Sequence, residues 1–263
     1  MCYDIQAKLE SQLKRAIRKN SVEDMNAILE KLERFNGRPM FHLSGFDHPE
    51  LLIYTNEAPD VPTAATWGLV PSWTKNESAK LKIINSTLNA KGETIFDKPS
   101  FKESAQSKRC ILQVDGFFEH KHINGKTYPH FISRADGHLM TLGGLWSEWK
   151  NPLTRKMETS FSIITTRANQ LMSGIHNNPK LAEPRMPLIL PPNAEDLWLR
   201  PTGKGVETLS QIIKPAENAL LEAHPVGRLK GKEYTGNNAN ITERAYYAAI
   251  DGGDQLSFFE EES

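Results

Sequence analysis

Apolar residues recur at helical spacing near the start of the chain, then in short strand-length runs through its middle. Leu9, Leu13 and Ile17 repeat every four residues and predict a helix in a stretch that also carries Lys8, Lys14, Arg15, Arg18 and Lys19. The simplest reading is a basic, solvated face packed down by the leucine stripe. Ser21, with an acid three residues on at Asp24, has the form of an N-cap, and Val22, Met25, Leu29 and Leu32 mark one face of a second helix. From Cys110 to Thr166 the pattern reads as an antiparallel meander. Cys110–Val114 is an apolar strand, and Asn124-Gly125 between Phe117–His122 and Thr127–Ile132 is the strongest short hairpin signal. Asp136-Gly137 predicts a second hairpin leading into Leu139–Trp146, Asn151-Pro152 breaks the next connection, and Phe161–Thr165 follows as a strand. Short helices such as Ala194–Leu199 and Leu209–Ile213 then alternate with Pro-rich breaks. The fold class this predicts is α+β, with a mainly antiparallel, barrel-like β core and peripheral helices. With no repeat and no linker before about residue 236, the expectation is one domain over 1–236, with a helical elaboration at about 5–34, and a tail over 237–263.

The 263 residues are 38% apolar and 24% charged, as in an ordinary soluble globular protein. No apolar run approaches the roughly 20 residues of a membrane span. The start, Met-Cys-Tyr-Asp, has no signal-peptide pattern, so a cytoplasmic location is the expectation, with a monomer as the default state. Net charge is zero, which argues against a phosphate-binding partner until its distribution is considered. Asp251, Asp254, Glu260, Glu261 and Glu262 lie in the last 13 residues, where no Lys or Arg occurs. Residues 1–250 therefore hold 32 basic against 27 acidic side chains, a modestly basic body with an acidic end.

Two cysteines exclude a disulfide framework and suit a reducing compartment. Cys110 lies within an apolar strand and reads as a small buried hydrophobe. Cys2 is distinguished by position, because removal of Met1 would give it a free α-amine beside its thiol. Such an amine has an ordinary pKa of about 7.7–8.0 and is partly neutral, hence nucleophilic, near pH 7. A 1,2-aminothiol adds to an aldehyde as a Schiff base and closes through sulfur to a thiazolidine. His120 and His122 beside Glu119 suggest a metal pair, but no third ligand is evident, and neither a metal nor another cofactor is expected.

Five further blocks occur in order: Trp67–Trp73, Asn89–Thr94, Asp115–Glu119, Ile175–Pro187 and His224-Pro225-Val226. With the Met-Cys start they resemble the SRAP family, the SOS-response-associated peptidases, whose members carry WG-x-x-P-x-W, N-A-[RK]-x-E-T, DG-[FYW]-[FYW]-E, IH…R-x-P and HPV segments. The likeness covers residue 2 and roughly 36–228. It implies a sensor of abasic sites in single-stranded DNA that crosslinks to the ring-opened sugar aldehyde, with lyase, reversal and self-processing activities attached. By resemblance Cys2 is the nucleophile and Asn89 holds the N-terminus and the sugar. Glu119 is the acid/base, and His176 protonates the sugar oxygen on ring opening and assists reversal. Trp67 and Trp73 are then expected to stack on bases or wedge between them, and Lys91, Arg109 and Arg185 to contact phosphate. The chain departs from the family at Tyr3-Asp4, where Gly-Arg is usual, and at Phe41–Gly45, where Tyr-Asn-Val-Ala-Pro is usual. Residues 177–184 lengthen the loop before Arg185.

Asp254–Phe259 resembles a bacterial sliding-clamp-binding peptide, with Gln255, Leu256, Phe258 and Phe259 as the groove-binding residues and the clamp as an expected partner. Two other readings start from the same residues. An N-terminal-nucleophile amidohydrolase also begins Met-Cys but leaves the Trp67, Asn89 and Glu119 blocks unexplained. A non-catalytic DNA or clamp adaptor would leave Cys2 inert.

Overall fold

A computed structural model describes residues 2–200 and 206–251, the side chains of 206–208 excepted. Strand β1 (Asp4–Gln6) leads into α1 (Leu9–Lys19) and α2 (Val22–Lys31), followed by β2 (Leu43–Ser44), β3 (Glu50–Thr55) and β4 (Thr63–Trp67). Helix α3 (Glu77–Ile83), β5 (Asn89–Lys91) and α4 (Lys102–Ser107) precede the long strands β6 (Arg109–Val114), β7 (Gly116–Ile123), β8 (Lys126–Arg134), β9 (Met140–Lys150) and β10 (Met157–Arg167). Then come α5 (Gln170–Ile175), β11 (Arg185–Pro187), β12 (Ile189–Leu190), α6 (Pro192–Leu199), α7 (Val206–Ile212), β13 (Leu221–Pro225) and α8 (Ala248–Asp251).

Strand β10 closes the core. It pairs antiparallel with β9 and parallel with β4, so β4, β3, β6, β9 and β10 form a five-stranded ring with no free edge between them. Alternation along β6 shows which way its side chains point. Cys110, Leu112 and Val114 join a cluster with Trp67, Phe161 and Ile163, whereas Ile111 packs outward with Tyr54, Leu145 and Trp198. A second sheet runs in the order β13-β8-β7-β1-β2. The α+β, barrel-like architecture is thus as its pattern predicts. Among the described residues no helix is long and apolar enough to cross a membrane.

The meander itself is rearranged. Strands β7 and β8 form the hairpin at Asn124-Gly125, where both residues have positive φ. Strand β6, however, pairs with β9, and Asp136-Gly137 carries the chain from one sheet to the other instead of making a hairpin. The chain leaves the barrel at Asp115-Gly116. A Cβ on Gly116 would lie 2.5 Å from the Ile132 carbonyl oxygen and against the Phe131 ring, so only glycine lets β7 cross so close to β8.

The amino-terminal helices also turn differently from their apolar spacing. Ile17 is exposed, and α1 buries Gln12 and Arg15 beside Leu13 and Ala16. Arg15 is accommodated by Glu195 at 3.1 Å and Asp196 at 2.7 Å, and Gln12 accepts from the Leu52 N–H. Ser21 caps α2 as predicted, accepting from the Asp24 N–H, but the inward face is Met25, Ile28 and Leu32, while Val22 and Leu29 face solvent. Residues 237–251, which the sequence assigns to the tail, lie against the body. Ile241 is buried with Phe118, Phe131, Val226 and Leu229, and the Tyr247 hydroxyl donates to the Val226 carbonyl.

Replacing Gly116 tests the crossing. Gly116→Ala forces its Cβ against main chain, which cannot swing away like a side-chain tip, and should lower unfolding free energy by about 1–3 kcal/mol in urea titrations.

Candidate active site

Cys2 is buried just ahead of β1. Strand β1 pairs with β7 in the register Asp4↔Phe118 and Ile5↔Phe117. Continued outward, that register brings Tyr3 and Cys2 alongside Glu119 and His120. The Cys2 carbonyl accepts a hydrogen bond from Asn89 Nδ2 at 2.8 Å. Asn89 is held at the start of β5 by parallel pairing with Ile163 of β10. Its other amide atom, Oδ1, is buried and has no hydrogen-bond partner among the described residues.

Glu119 and His176 face each other at 3.7 Å between Oε2 and Nε2. Glu119 Oε1 accepts from the His120 N–H at 2.9 Å, and burial holds its carboxyl above the usual carboxylate range. His176 is the C-cap of α5, its N–H bonded to the Met172 carbonyl. The Arg185 N–H donates to His176 Nδ1 at 2.9 Å, so the single proton of the neutral ring resides on Nε2, toward Glu119. Burial lowers the His176 pKa to about 4, which keeps the ring neutral at pH 7. The Cys2 thiol is raised well above its ordinary pKa, first by burial and then by the field of Glu119. The pair thus combines a reluctant carboxylate with a neutral imidazole donor, a set suited to proton transfer beside the Cys2 thiol. A cleft of about 260 Å³ opens on them, its walls including Tyr3, His120, His122, Leu181 and Lys230.

The fold therefore brings together Cys2, Asn89, Glu119 and His176 from four separate segments. It treats the expected DNA contacts unevenly. Trp67 is fully buried, stacked on Phe161 at 6.2 Å with Nε1 donating to the Leu88 carbonyl, so its ring has no face for a base. Arg109 is buried against the carbonyls of Trp198, Arg200, Ala105 and Gln106. Arg185 is buried as well, held by Glu93 and Glu183, both at 2.7 Å, and by Thr165. Both arginines are structural, and neither presents its charge to a phosphate. Trp73 and Lys91 are exposed and remain available. Gln255, Leu256, Phe258 and Phe259 lie outside the described residues.

Sequence reasoning missed what surrounds Cys2. Tyr3 packs on Phe46, and Asp4 reaches His42 at 3.1 Å, whose other ring nitrogen lies 3.1 Å from the Tyr234 hydroxyl. The available signal was that the two departures from the family pattern, at 3–4 and at 41–45, occur together.

Two measurements follow from this geometry. His176 lies below its unfolded value of about 6.5, so the unfolded chain binds the extra proton between pH 6.5 and about 4, and stability is lost as pH drops through that window. His176→Gln should flatten part of that fall in chemical denaturation at stepped pH. Arg109→Ala should lose about 3 kcal/mol or more by stranding buried carbonyls, a loss visible without any DNA present.

Residues 4–232 match the model of the family described as SOS response associated peptidase (SRAP). Among curated proteins, the abasic site processing protein YoqW of Bacillus subtilis is 37% identical over 164 residues, which cover 62% of this chain and 68% of that one. The abasic site processing protein HMCES of Gallus gallus is 31% identical over 180 residues, 61% of this chain and 51% of its own. A crystal structure of a Bacteroides thetaiotaomicron protein superposes with a TM-score of 0.78 at 29% identity, over 93% of this chain and all of the other. With the family model spanning nearly the whole described body, the chain belongs to the SRAP family.

Proposed function

We propose that this protein senses abasic sites in single-stranded DNA and crosslinks to them through Cys2 after removal of Met1. The observation that carries this reading is the clustering of Cys2 and Asn89 with the Glu119–His176 pair, the pair itself lining a cleft, in a chain whose relatives are named abasic site processing proteins. The free amine of Cys2 attacks C1 of the ring-opened sugar, and loss of water gives an imine. The thiol then adds across the C=N bond, sulfur to carbon and proton to nitrogen, so aminothiol and aldehyde yield thiazolidine and one water. The raised thiol pKa suits this order, because the sulfur enters second and as S–H. An amidohydrolase would instead need the thiolate as its first nucleophile, which burial disfavours.

Each neighbouring side chain has a task in that sequence. Asn89 fixes the Cys2 carbonyl, and its vacant Oδ1 is an acceptor for the amine N–H. Glu119 takes the proton from the attacking amine and returns it to the departing hydroxyl. The Nε2–H of His176 protonates the sugar ring oxygen as the ring opens, and the proton leaving the C1 hydroxyl restores the neutral ring. Ring closure through sulfur protects the imine from hydrolysis and from β-elimination, which favours a shield over strand cleavage. Phosphate contact falls to exposed cations such as Lys91, and Trp73 offers an exposed ring. The segment 254–259 is assigned to the sliding clamp on its sequence likeness alone, and deletion that leaves clamp capture unchanged removes that assignment.

A denaturing gel tests the chemistry. Incubation with single-stranded DNA bearing one abasic site should give a shifted band, and its absence from wild type overturns the reading. Cys2→Ala should lose the stable adduct while leaving a borohydride-trappable imine. Glu119→Gln should slow adduct formation by roughly 10²–10⁴-fold.

A further inference from the structure

Beside the nucleophile the chain presents an aromatic step. Phe46 is 54% exposed, and the Tyr3 ring packs on it with centroids 4.8 Å apart and planes tilted by 39°. Tyr3 also lines the cleft with Glu119 and His176. The step is built on the barrel. Phe46 rides on a 3-10 turn at Gly45–Asp47, tied to Tyr3 by a Gly45 N–H bond to its carbonyl at 2.7 Å. A Cβ on Gly45 would come within 3.2 Å of the Trp67 indole, so the turn lies flat on that buried ring. His48 ends the turn at positive φ and is fixed through Nδ1 to the Trp67 carbonyl. Trp67 thus supports an aromatic surface rather than being one.

We propose that Tyr3 and Phe46 stack on the nucleobase next to the abasic nucleotide, filling the gap its missing base leaves. This rests on the reading of the cleft as the abasic-site pocket. A base flanking such a site has one bare face, and aromatic rings replace lost stacking without regard to sequence. Tyr3 directly follows Cys2 in the chain and lines the cleft, which places its ring at the edge of the site. Charge selects the base over the phosphate on this wall. The Asp4 carboxylate stands next to Tyr3, whereas Lys230, His120 and His122 line the cleft elsewhere.

The test separates stacking from covalent chemistry. A labelled single strand carrying tetrahydrofuran, a baseless sugar without an aldehyde, is titrated by fluorescence anisotropy in two forms. One has adenines on both sides of the tetrahydrofuran, and the other has baseless spacers of equal charge. Wild type should bind the adenine form at least about 5-fold more tightly. Phe46→Ala, at a position too exposed to hold the core, should bring that ratio near one, and Phe46→Trp should keep it. A ratio near one in wild type, or one that persists in both Phe46→Ala and Tyr3→Leu, overturns the proposal. Failure of an aldehyde-bearing strand to crosslink would refute the covalent reading instead, while the anisotropy ratio still decides the stacking step.

Discussion

The hydrogen bond from Asn89 Nδ2 to the Cys2 carbonyl ties the two sheets together at the point where chemistry is proposed. Cys2 extends the strand that pairs with β7, and Asn89 belongs to the β5 strand pinned on the barrel through β10. Strand β10 also holds Arg185 through β11 and leads directly into α5, whose C-cap is His176. Three of the four residues are thereby referred to one barrel strand or its extension, and Glu119 is set against them through β1. Such placement on paired strands keeps the geometry tighter than loops would. Asn89 Oδ1, without a partner among the described residues, is the cost of this placement, because an unpartnered buried acceptor is destabilising by roughly 1–3 kcal/mol.

Charge was the least legible property of the sequence. Arg15, Arg109 and Arg185 look like surface cations in a modestly basic body, yet all three are buried. Arg15 and Arg185 are neutralised by carboxylates far away in sequence, such as Glu195 and Glu93, and Arg109 is satisfied by carbonyls alone. Nothing local to an arginine distinguishes a phosphate fork from a carbonyl clamp, since the same planar donor set serves both. Arg185 has a further role that its side chain does not advertise. Its backbone N–H fixes the His176 tautomer while its guanidinium anchors the loop.

Local chemistry was read more faithfully than pairing. Ser21 caps its helix and Asn124-Gly125 turns its hairpin because both effects operate within three or four residues. The helix faces differ from their apolar spacing because tertiary partners decide them: Arg15 turns inward where Glu195 and Asp196 meet it. Strand order failed at Gly116 for the same reason. A glycine required by the closeness of Ile132 and Phe131 looks like an ordinary turn residue until the second sheet is present. The four chemical positions were legible only through ordered family motifs, as their separations from Cys2 to His176 have no local period.

The departures from the family pattern make sense as one compensated set. An Asp at position 4 would leave a carboxylate beside the cleft, but here it lies 3.1 Å from His42 Nε2. If that nitrogen carries the proton, Nδ1 is left to accept from the Tyr234 hydroxyl, also at 3.1 Å, so a neutral ring satisfies both partners. The backbone N–H groups of Phe41 and His42 both donate to Asn237 Oδ1, which draws residues 234–237 into the same network. Changing Asp4 alone would strand His42, and changing His42 alone would leave the Asp4 charge facing Glu119, whose carboxyl it already pushes upward. The segments at 3–4, 41–46 and 234–237 are therefore bound to one another, and the Tyr3–Phe46 step is the outward face of that same adjustment.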